Sequence, residues 1–442
     1  MMKETFPLLT PKPVTLVQKI GYGLGHIQND LSASMWFSYT LGFLKLVTSN
    51  NVLSGILIMT GQLLDAVATP IAGYILDRTN NKKKWHFFGS IASCGSFPLI
   101  YTVCTLCNQD STWEGLFRGV FIAVFQISWA FVQISHLSIL PLLTKNINEK
   151  SELTAYRYAA SMIANIILYL ITLYCFYGTT TGETTLFSAS DNQRFFEIAV
   201  SITAIGLLTS TAFHLIIKTK EPTIEGTNTR KVVSCLATNG DIFKVAAIYT
   251  SSRLYINATI EYMVLYLNET VLSNKETIAT IPLTMFALSA LTSLFFKHVI
   301  RVNNQKITFV IGWIFCIAGC LTIFMRNGRS DDVMDLFIAS ALFGTGSALT
   351  LVVSLSFAAN MATTEGKEGF VFSTVTFADK AMNGIAVLSI EYLKCEDPIL
   401  CESYYKNVMV FFNGCVITVG LIFVCFMPLR ITEFNSTRQI QI

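Results

Sequence analysis

Charge is what this chain has little of. Asp, Glu, Lys and Arg together make up 13% of its 442 residues, while 52% are hydrophobic. Soluble domains carry about 25% charged residues, so a soluble globular fold is excluded and a polytopic membrane protein is expected. The stretch Met1–Lys19 contains Pro7, Pro11 and Pro13 and has no apolar core. No cleavable signal peptide is expected there, and the first span must itself act as the insertion signal. Also lacking are a charge distribution suited to nucleic acid, a nucleophile–base pair and a phosphate-binding glycine loop in a workable place. Nucleic-acid binding and enzymatic catalysis are set aside, and no cofactor or metal is implied. The eleven cysteines lie mostly within apolar runs, where cysteine behaves as a small buried hydrophobe. Cys104 with Cys107, and Cys395 with Cys401, are the exceptions. Both pairs fall on the non-cytosolic side of the topology below, where disulfides can form; no His or further Cys completes a metal site around C-x-x-C.

What is present is a series of long apolar windows. Taking about 20 apolar residues as a span, twelve are read, at approximately 18–46, 52–76, 85–107, 116–140, 153–177, 195–217, 242–267, 277–297, 306–325, 334–360, 369–393 and 405–429. The expected fold is all-α, with twelve transmembrane helices in two six-helix bundles. The polar stretch 218–240 divides the halves 18–217 and 241–429, and tails 1–17 and 430–442 flank them. Such a 6+6 layout is that of a transporter whose substrate site lies near the midplane between the bundles. Lys and Arg concentrate on one side, with Lys82, Lys83, Lys84, Lys218, Lys220, Arg230 and Lys231 among them, so both termini are expected in the cytosol. On that assignment Asn268–Thr270 is a luminal sequon lying close to the bilayer. The tail segment Glu4–Leu9 places an acidic residue ahead of two leucines, a pattern that arises by chance or serves a lysosomal sorting adaptor.

Several spans carry polar residues that a lipid-facing helix avoids. The first contains GYGLGHIQNDLSASMWFSY (Gly21–Tyr39), with Tyr22, His26 and Asp30 on one face at i, i+4, i+8. A carboxylate at that depth costs roughly 2.5–3.5 kcal/mol on insertion scales, so Asp30 should face protein or water. The second span has Asp65 and Thr69 on one face, then Gly73, which allows close helix approach, and Asp77-Arg78 at its end. Arg157, Lys380 and Asp379 add further charge, and span seven repeats Arg253, Asn257 and Glu261 every four residues, either as a structural pair or as a cavity wall. Asp77 and Arg78 read as a structural pair at a helix end. Gln126, Trp129 and Gln133 share a region of span four and offer neutral hydrogen-bonding groups. His26 and His136 serve as proton relays or as packed hydrogen-bonding residues; Tyr39 and Trp36 line a cavity or pack.

The D-x4-P-x2-G-x3-DR run of span two resembles the loop between spans two and three of the major facilitator superfamily. Together with Gly21–Tyr39 and ELTAYRYA (Glu152–Ala159), it looks like the glycoside–pentoside–hexuronide:cation symporter branch, over about Val14 to Arg430. ASMWFSY, QISHLSILP, ATIPL and FADKAMNGIAV look closer still to an animal branch associated with cysteine import into lysosomes and melanosomes. The resemblance implies that Asp30 is the helix-one substrate carboxylate and that Asp65 is the first of two cation-site carboxylates. Thr69 stands in place of the second, which weakens a sodium site and leaves proton coupling or uncoupled movement open. It also implies that Arg157 and Lys380 match the helix-five arginine and helix-eleven lysine, and that Gln133 replaces a second sugar-binding aspartate.

The expected substrate-binding set is therefore Asp30, Arg157, Gln133, Trp129, Gln126 and Tyr39. The coupling set is Asp65, Thr69, Lys380 and His26, and the structural or gating set is Gly73, Asp77, Arg78, Arg253 and Glu261. An α-ammonium calls for a carboxylate and an α-carboxylate for a fork of donors, which Asp30 and Arg157 can supply. The expected activity is alternating-access transport of a small zwitterion, cysteine by resemblance, from cytosol into a lysosome-related organelle. The alternatives are a cation-coupled symporter of a sugar, glycoside or lysolipid and a non-transporting membrane scaffold or sensor; the alternative location is the plasma membrane.

Overall fold

The computed structural model describes residues 13–427 apart from short connecting stretches, chiefly 179–190, 219–239, 300–304 and 395–402. Among the described residues the chain forms twelve long helices. Helix α1 runs Leu16–Met35, passes through a π-helical turn at Trp36–Thr40 and continues over Leu41–Thr48. It is followed by α2 (Asn51–Asp77), α3 (Lys82–Ile100), α4 (Ser111–Leu143), α5 (Ile147–Phe176) and α6 (Asn192–Ile216). The second half holds α7 (Gly240–Thr270), α8 (Thr277–Val299), α9 (Gln305–Met325), α10 (Met334–Glu365) and α11 (Glu368–Leu393). Helix α12 starts at Tyr404, takes a π turn at Val408–Phe412 and ends at Cys425. Glu4–Leu9, the linker, and Cys395 with Cys401 lie outside the described residues.

Local chemistry sets the helix ends. Thr15 caps α1 through a capping box: its hydroxyl accepts from the Gln18 amide, and the Gln18 side chain accepts from the Thr15 amide at 3.0 Å. Ser49 stops the same helix in the left-handed region at φ 47°, and Asn50 Oδ1 then accepts from the Leu53 amide at 2.9 Å to start α2. Pro98 sits in the last turn of α3, which closes at Ile100, short of the expected limit near 107. Cys104 and Cys107 therefore lie beyond the helix, joined as a disulfide. Helix α4 has 33 residues, or about 50 Å at 1.5 Å per residue, longer than a ~30 Å hydrocarbon layer.

The packing pattern repeats between the halves. Helix α1 packs on α5 and α6, α2 on α4, and α3 on α4 and α6. Six helices later, α7 packs on α11 and α12, α8 on α10, and α9 on α10 and α12. The contacts between halves obey the same relation, since α2 meets α11 and α5 meets α8, while the π turn of α1 meets α7. Two six-helix bundles thus face each other across a pseudo-twofold interface. Gly55 of α2 and Gly384 of α11 let the halves meet closely: a Cβ on either would stand 3.2 Å from a Cα of the other helix, Leu388 or Met59.

Among the described residues, seven helices meet a strict length and apolarity test for a membrane span: α2, α4, α5, α6, α9, α10 and α12. Helices α1, α3, α7, α8 and α11 fall short of it. Three of these carry Asp30, Arg253 with Glu261, and Asp379 with Lys380, so the polarity that weakens their hydropathy is the polarity placed inside the protein.

One close approach in the second bundle makes a direct test. A Cβ on Gly344 of α10 would lie 2.1 Å from the Met285 carbonyl oxygen of α8, and backbone cannot rotate away as a side chain can. Gly344→Ala is expected to destabilise the protein by about 1–3 kcal/mol, read as a lowered melting midpoint in detergent. An unchanged midpoint would show that α8 and α10 do not pack this closely.

Candidate functional site

The expected site residues fall into two separate constellations. The first lies inside the amino-terminal bundle, between α1 and α5. Asp30 Oδ2 accepts a hydrogen bond from the Ser161 hydroxyl at 2.6 Å, and its Oδ1 is 3.8 Å from His26 Nε2. The Asp30 side chain keeps 18% exposure, whereas His26 is buried. Arg157, one turn before Ser161, acts electrostatically on Asp30, and its Nε has no hydrogen-bond partner among the described residues. A carboxylate with one oxygen lightly engaged thus lies within electrostatic reach of a guanidinium on the neighbouring helix.

Glycines make this arrangement possible. Gly21 and Gly25 press α1 against Ile216 and Phe213 of α6, and Gly23 brings it to the Tyr156 carbonyl of α5. The π turn above Asp30 sends hydroxyls to three neighbours: Ser38 to Tyr169 of α5 at 2.8 Å, Tyr39 to the Ile278 carbonyl of α8 at 3.2 Å, and Thr40 to Tyr101 of α3 at 2.5 Å. Helical bulges of this kind recur at functional positions. Tyr39 is fully buried among Tyr169 and Phe195, and its hydroxyl donates to the other half of the molecule, which makes it an interface residue in this structure.

The second constellation bridges the halves. Lys380 Nζ lies 2.6 Å from Asp65 Oδ1 and donates to Thr69 Oγ1 at 2.8 Å, while the Thr69 hydroxyl donates to the Asp65 carbonyl at 2.8 Å. Asp65 is completely buried. Next to it, Arg253 of α7 reaches Asp379 of α11 at 3.3 Å. The regular spacing on α7 suggests a partnership of Arg253 with Glu261, but the helix turns them to different neighbours. Glu261 is 1% exposed and neither carboxyl oxygen has a hydrogen-bond partner among the described residues.

On α4, Trp129 is 5.7 Å from Lys380 Nζ, so it stands by the second constellation. Its indole N–H, both amide atoms of buried Gln126 and the Oε1 of half-buried Gln133 have no hydrogen-bond partner among the described residues. Gly73 does not support a close approach: a Cβ there would meet nothing within 4 Å among the described residues. Arg78 is exposed and covers the Tyr74 ring at 3.6 Å; the Asp77 side chain lies outside the described residues.

Sequence patterning does not single out Ser161, which only the α1–α5 contact brings to Asp30, nor the ion pairs that close the end away from the termini. There, Lys45 of α1 pairs with buried Glu391 of α11 at 2.7 Å, with Tyr405 of α12 bonded to both. Lys275, just before α8, pairs with Asp191 at the start of α6 at 2.6 Å. The halves are therefore latched at that end. A charge inside an apolar segment was the available signal, since Glu391 falls within span eleven, two residues before its end.

Comparison with known proteins agrees with this architecture. Residues 21–393 match the family described as "MFS/sugar transport protein". The chain is 31% identical to human major facilitator superfamily domain-containing protein 12 over 96% of both chains. Among solved structures it resembles the inward-open xylose transporter XylE from E. coli, with a TM-score of 0.66 at 12% identity over 95% of this chain and 96% of that one. It also resembles the nucleoside transporter NupG, with a TM-score of 0.69 at 12% identity over 93% and 100% of the two chains. Twelve helices in two related bundles, a charged interface between them and a family match across most of the length lead to one assignment: the chain belongs to the MFS/sugar transport family of the major facilitator superfamily, and it is a multi-pass secondary transporter, not an enzyme.

Proposed function

We propose that this transporter moves a small zwitterionic amino acid, cysteine in the first instance, from the cytosol into a lysosome or related organelle. The observation that carries the reading is the pair formed by Asp30 and Arg157 on adjacent faces of α1 and α5. A substrate ammonium would take the open side of the Asp30 carboxylate, and a substrate carboxylate the Arg157 guanidinium, whose Nε–H has no hydrogen-bond partner among the described residues. A ligand that carries both an ammonium and a carboxylate can engage the two groups together, one charge for each. The resemblance to the cysteine-importing branch supplies the side chain. In this reading both termini are cytosolic, the halves 18–217 and 241–429 rock about the α2–α11 and α5–α8 contacts, and Glu4–Leu9 recruits a sorting adaptor. Asp65, Thr69 and Lys380 form the coupling element, because an ion pair made across the halves changes as they move.

The test is uptake of radiolabelled cysteine into vesicles holding the full chain, with competing amino acids, across an imposed pH gradient. Saturable uptake, competed by other small amino acids, is expected. No cysteine uptake at any pH, together with clear transport of a sugar or lysolipid, would sink the reading. The second reading is a cation-coupled glycoside symporter. It draws on the family description and on Trp129, Gln126 and Gln133, whose free hydrogen-bonding groups suit hydroxyls; sodium-dependent sugar uptake would favour it.

A further inference from the structure

Four of the five histidines in the chain converge inside the amino-terminal bundle, each from a different helix: His26 of α1, His86 of α3, His136 of α4 and His214 of α6. His214 Nε2 is 3.0 Å from His86 Nδ1. His86 and His136 rings lie 5.9 Å apart by centroid, and His136 stacks on His26 at 5.1 Å with an interplanar angle of 12°. His26 then reaches Asp30. His86 Nε2 lies 3.0 Å from the Gly25 carbonyl and His136 Nε2 2.8 Å from that of Tyr22. A carbonyl oxygen only accepts, so both Nε2 atoms carry hydrogen and both Nδ1 atoms are left as acceptors.

The Nδ1 atoms of His26 and His136 and the Tyr22 hydroxyl are buried and have no hydrogen-bond partner among the described residues. Groups of this kind in a polar site are where ordered water is held. His214 is half-buried, two residues from the end of α6, and lines a cavity of about 220 Å³ with Phe87, Ser90, Ile91, Leu207 and Ser210. The charged or titratable groups facing the row are Tyr22 and Asp30 on α1, Lys83 on α3 and Arg157 on α5. The two cations flank the row and repel a resident positive charge, which favours passage of a proton over its storage.

We propose that His26, His136, His86 and His214 form a proton path joining Asp30 to the terminus-bearing end of the protein, separate from the substrate route. It rests on the reading of Asp30 as the substrate carboxylate. The Asp30 carboxyl gives its proton to His26 Nε2. His26 releases its Nδ1 proton through a bridging water and is left as the other tautomer until its ring turns over. His136 and His86, whose Nε2–H groups stay on the Tyr22 and Gly25 carbonyls, each take and release the proton at Nδ1. His86 can do so when the half-buried His214 ring turns its Nε2–H away and presents a bare nitrogen, and His214 then returns the proton to bulk water. Asp30 can then lose its proton while a substrate ammonium occupies its open side.

A second route to one end has a consequence that needs no substrate. When the halves open away from the termini, Asp30 meets that side through the substrate cavity and the other through the histidines, so the empty protein leaks protons. The experiment is proton leak under an imposed potassium diffusion potential, reported by a pH dye trapped in vesicles holding the full-length protein. His86→Gln and His136→Gln keep a donor for the backbone carbonyls. Each is expected to lower the leak about tenfold, with cysteine counterflow within about twofold of wild type as evidence of an intact fold. A variant leak equal to that of wild type, or a wild-type leak no greater than that of protein-free vesicles, overturns the path. Loss of leak and counterflow together assigns the histidines to packing. Wild-type leak that depends on the histidines, without cysteine counterflow, supports the path and removes only the cysteine reading.

Discussion

Replacing Lys380 by Ala is expected to destabilise the protein by about 3–5 kcal/mol, because it strands the Asp65 carboxylate inside the interface between the halves. Asp65 is 0% exposed, and the other side chain bonded to its carboxylate among the described residues is the Thr69 hydroxyl, which cannot neutralise a charge. Lys380 itself also donates to Thr69 and stands near the Trp129 ring, so its loss opens several contacts at once. Removing both charges, in Lys380→Met combined with Asp65→Leu, should restore the stability to within about 1 kcal/mol of the original, since apolar side chains of similar size replace a buried pair at little penalty. Melting midpoints and resistance to denaturing detergent measure both. A loss below about 1 kcal/mol for the single variant would mean that water reaches the pair and screens it. Transport separates stability from coupling: the double variant folds but, if the pair is the coupling element, no longer concentrates substrate against a gradient.

Asp30→Asn should do the opposite, leaving the fold in place and removing the activity. The side chain has nearly the same shape, its oxygen can still accept from Ser161, and the site is 18% exposed rather than sealed. What disappears is the charge. A substrate ammonium that loses a close carboxylate partner forfeits about 2–5 kcal/mol, so cysteine uptake at subsaturating concentration is expected to fall by about two orders of magnitude. The melting midpoint should move little. Uptake that survives the substitution would place the ammonium elsewhere, and Glu261, a buried carboxylate without a hydrogen-bond partner among the described residues, would become the first alternative to test. A matching loss in Arg157→Gln, with tolerance in Gln126→Ala, would locate the substrate between α1 and α5 rather than along α4.

The membrane class, the count of twelve helices and the division into halves follow from the sequence, because each rests on the free energy of single segments in lipid. So does the presence of charges that must face inward, since lipid does not tolerate Asp30, Asp65, Arg253 or Lys380. Helical periodicity adds which of them share a face. It does not say what that face meets. Asp65 and Lys380 are 315 positions apart and become partners only because α2 packs on α11. Arg253 and Glu261 share a periodic stripe, yet one finds Asp379 and the other finds no hydrogen-bond partner among the described residues. Periodicity places Tyr39 on the first span, and only the π turn of α1 directs its hydroxyl to α8. The four histidines, more than 180 residues from first to last, form a row because glycines draw α1 onto α6 while α3 and α4 close behind. Local energetics determined what the segments are. Packing between segments decided which charges are paired, which hydroxyls are spent and which carboxylate is left open, because those depend on contacts between residues that no local pattern joins.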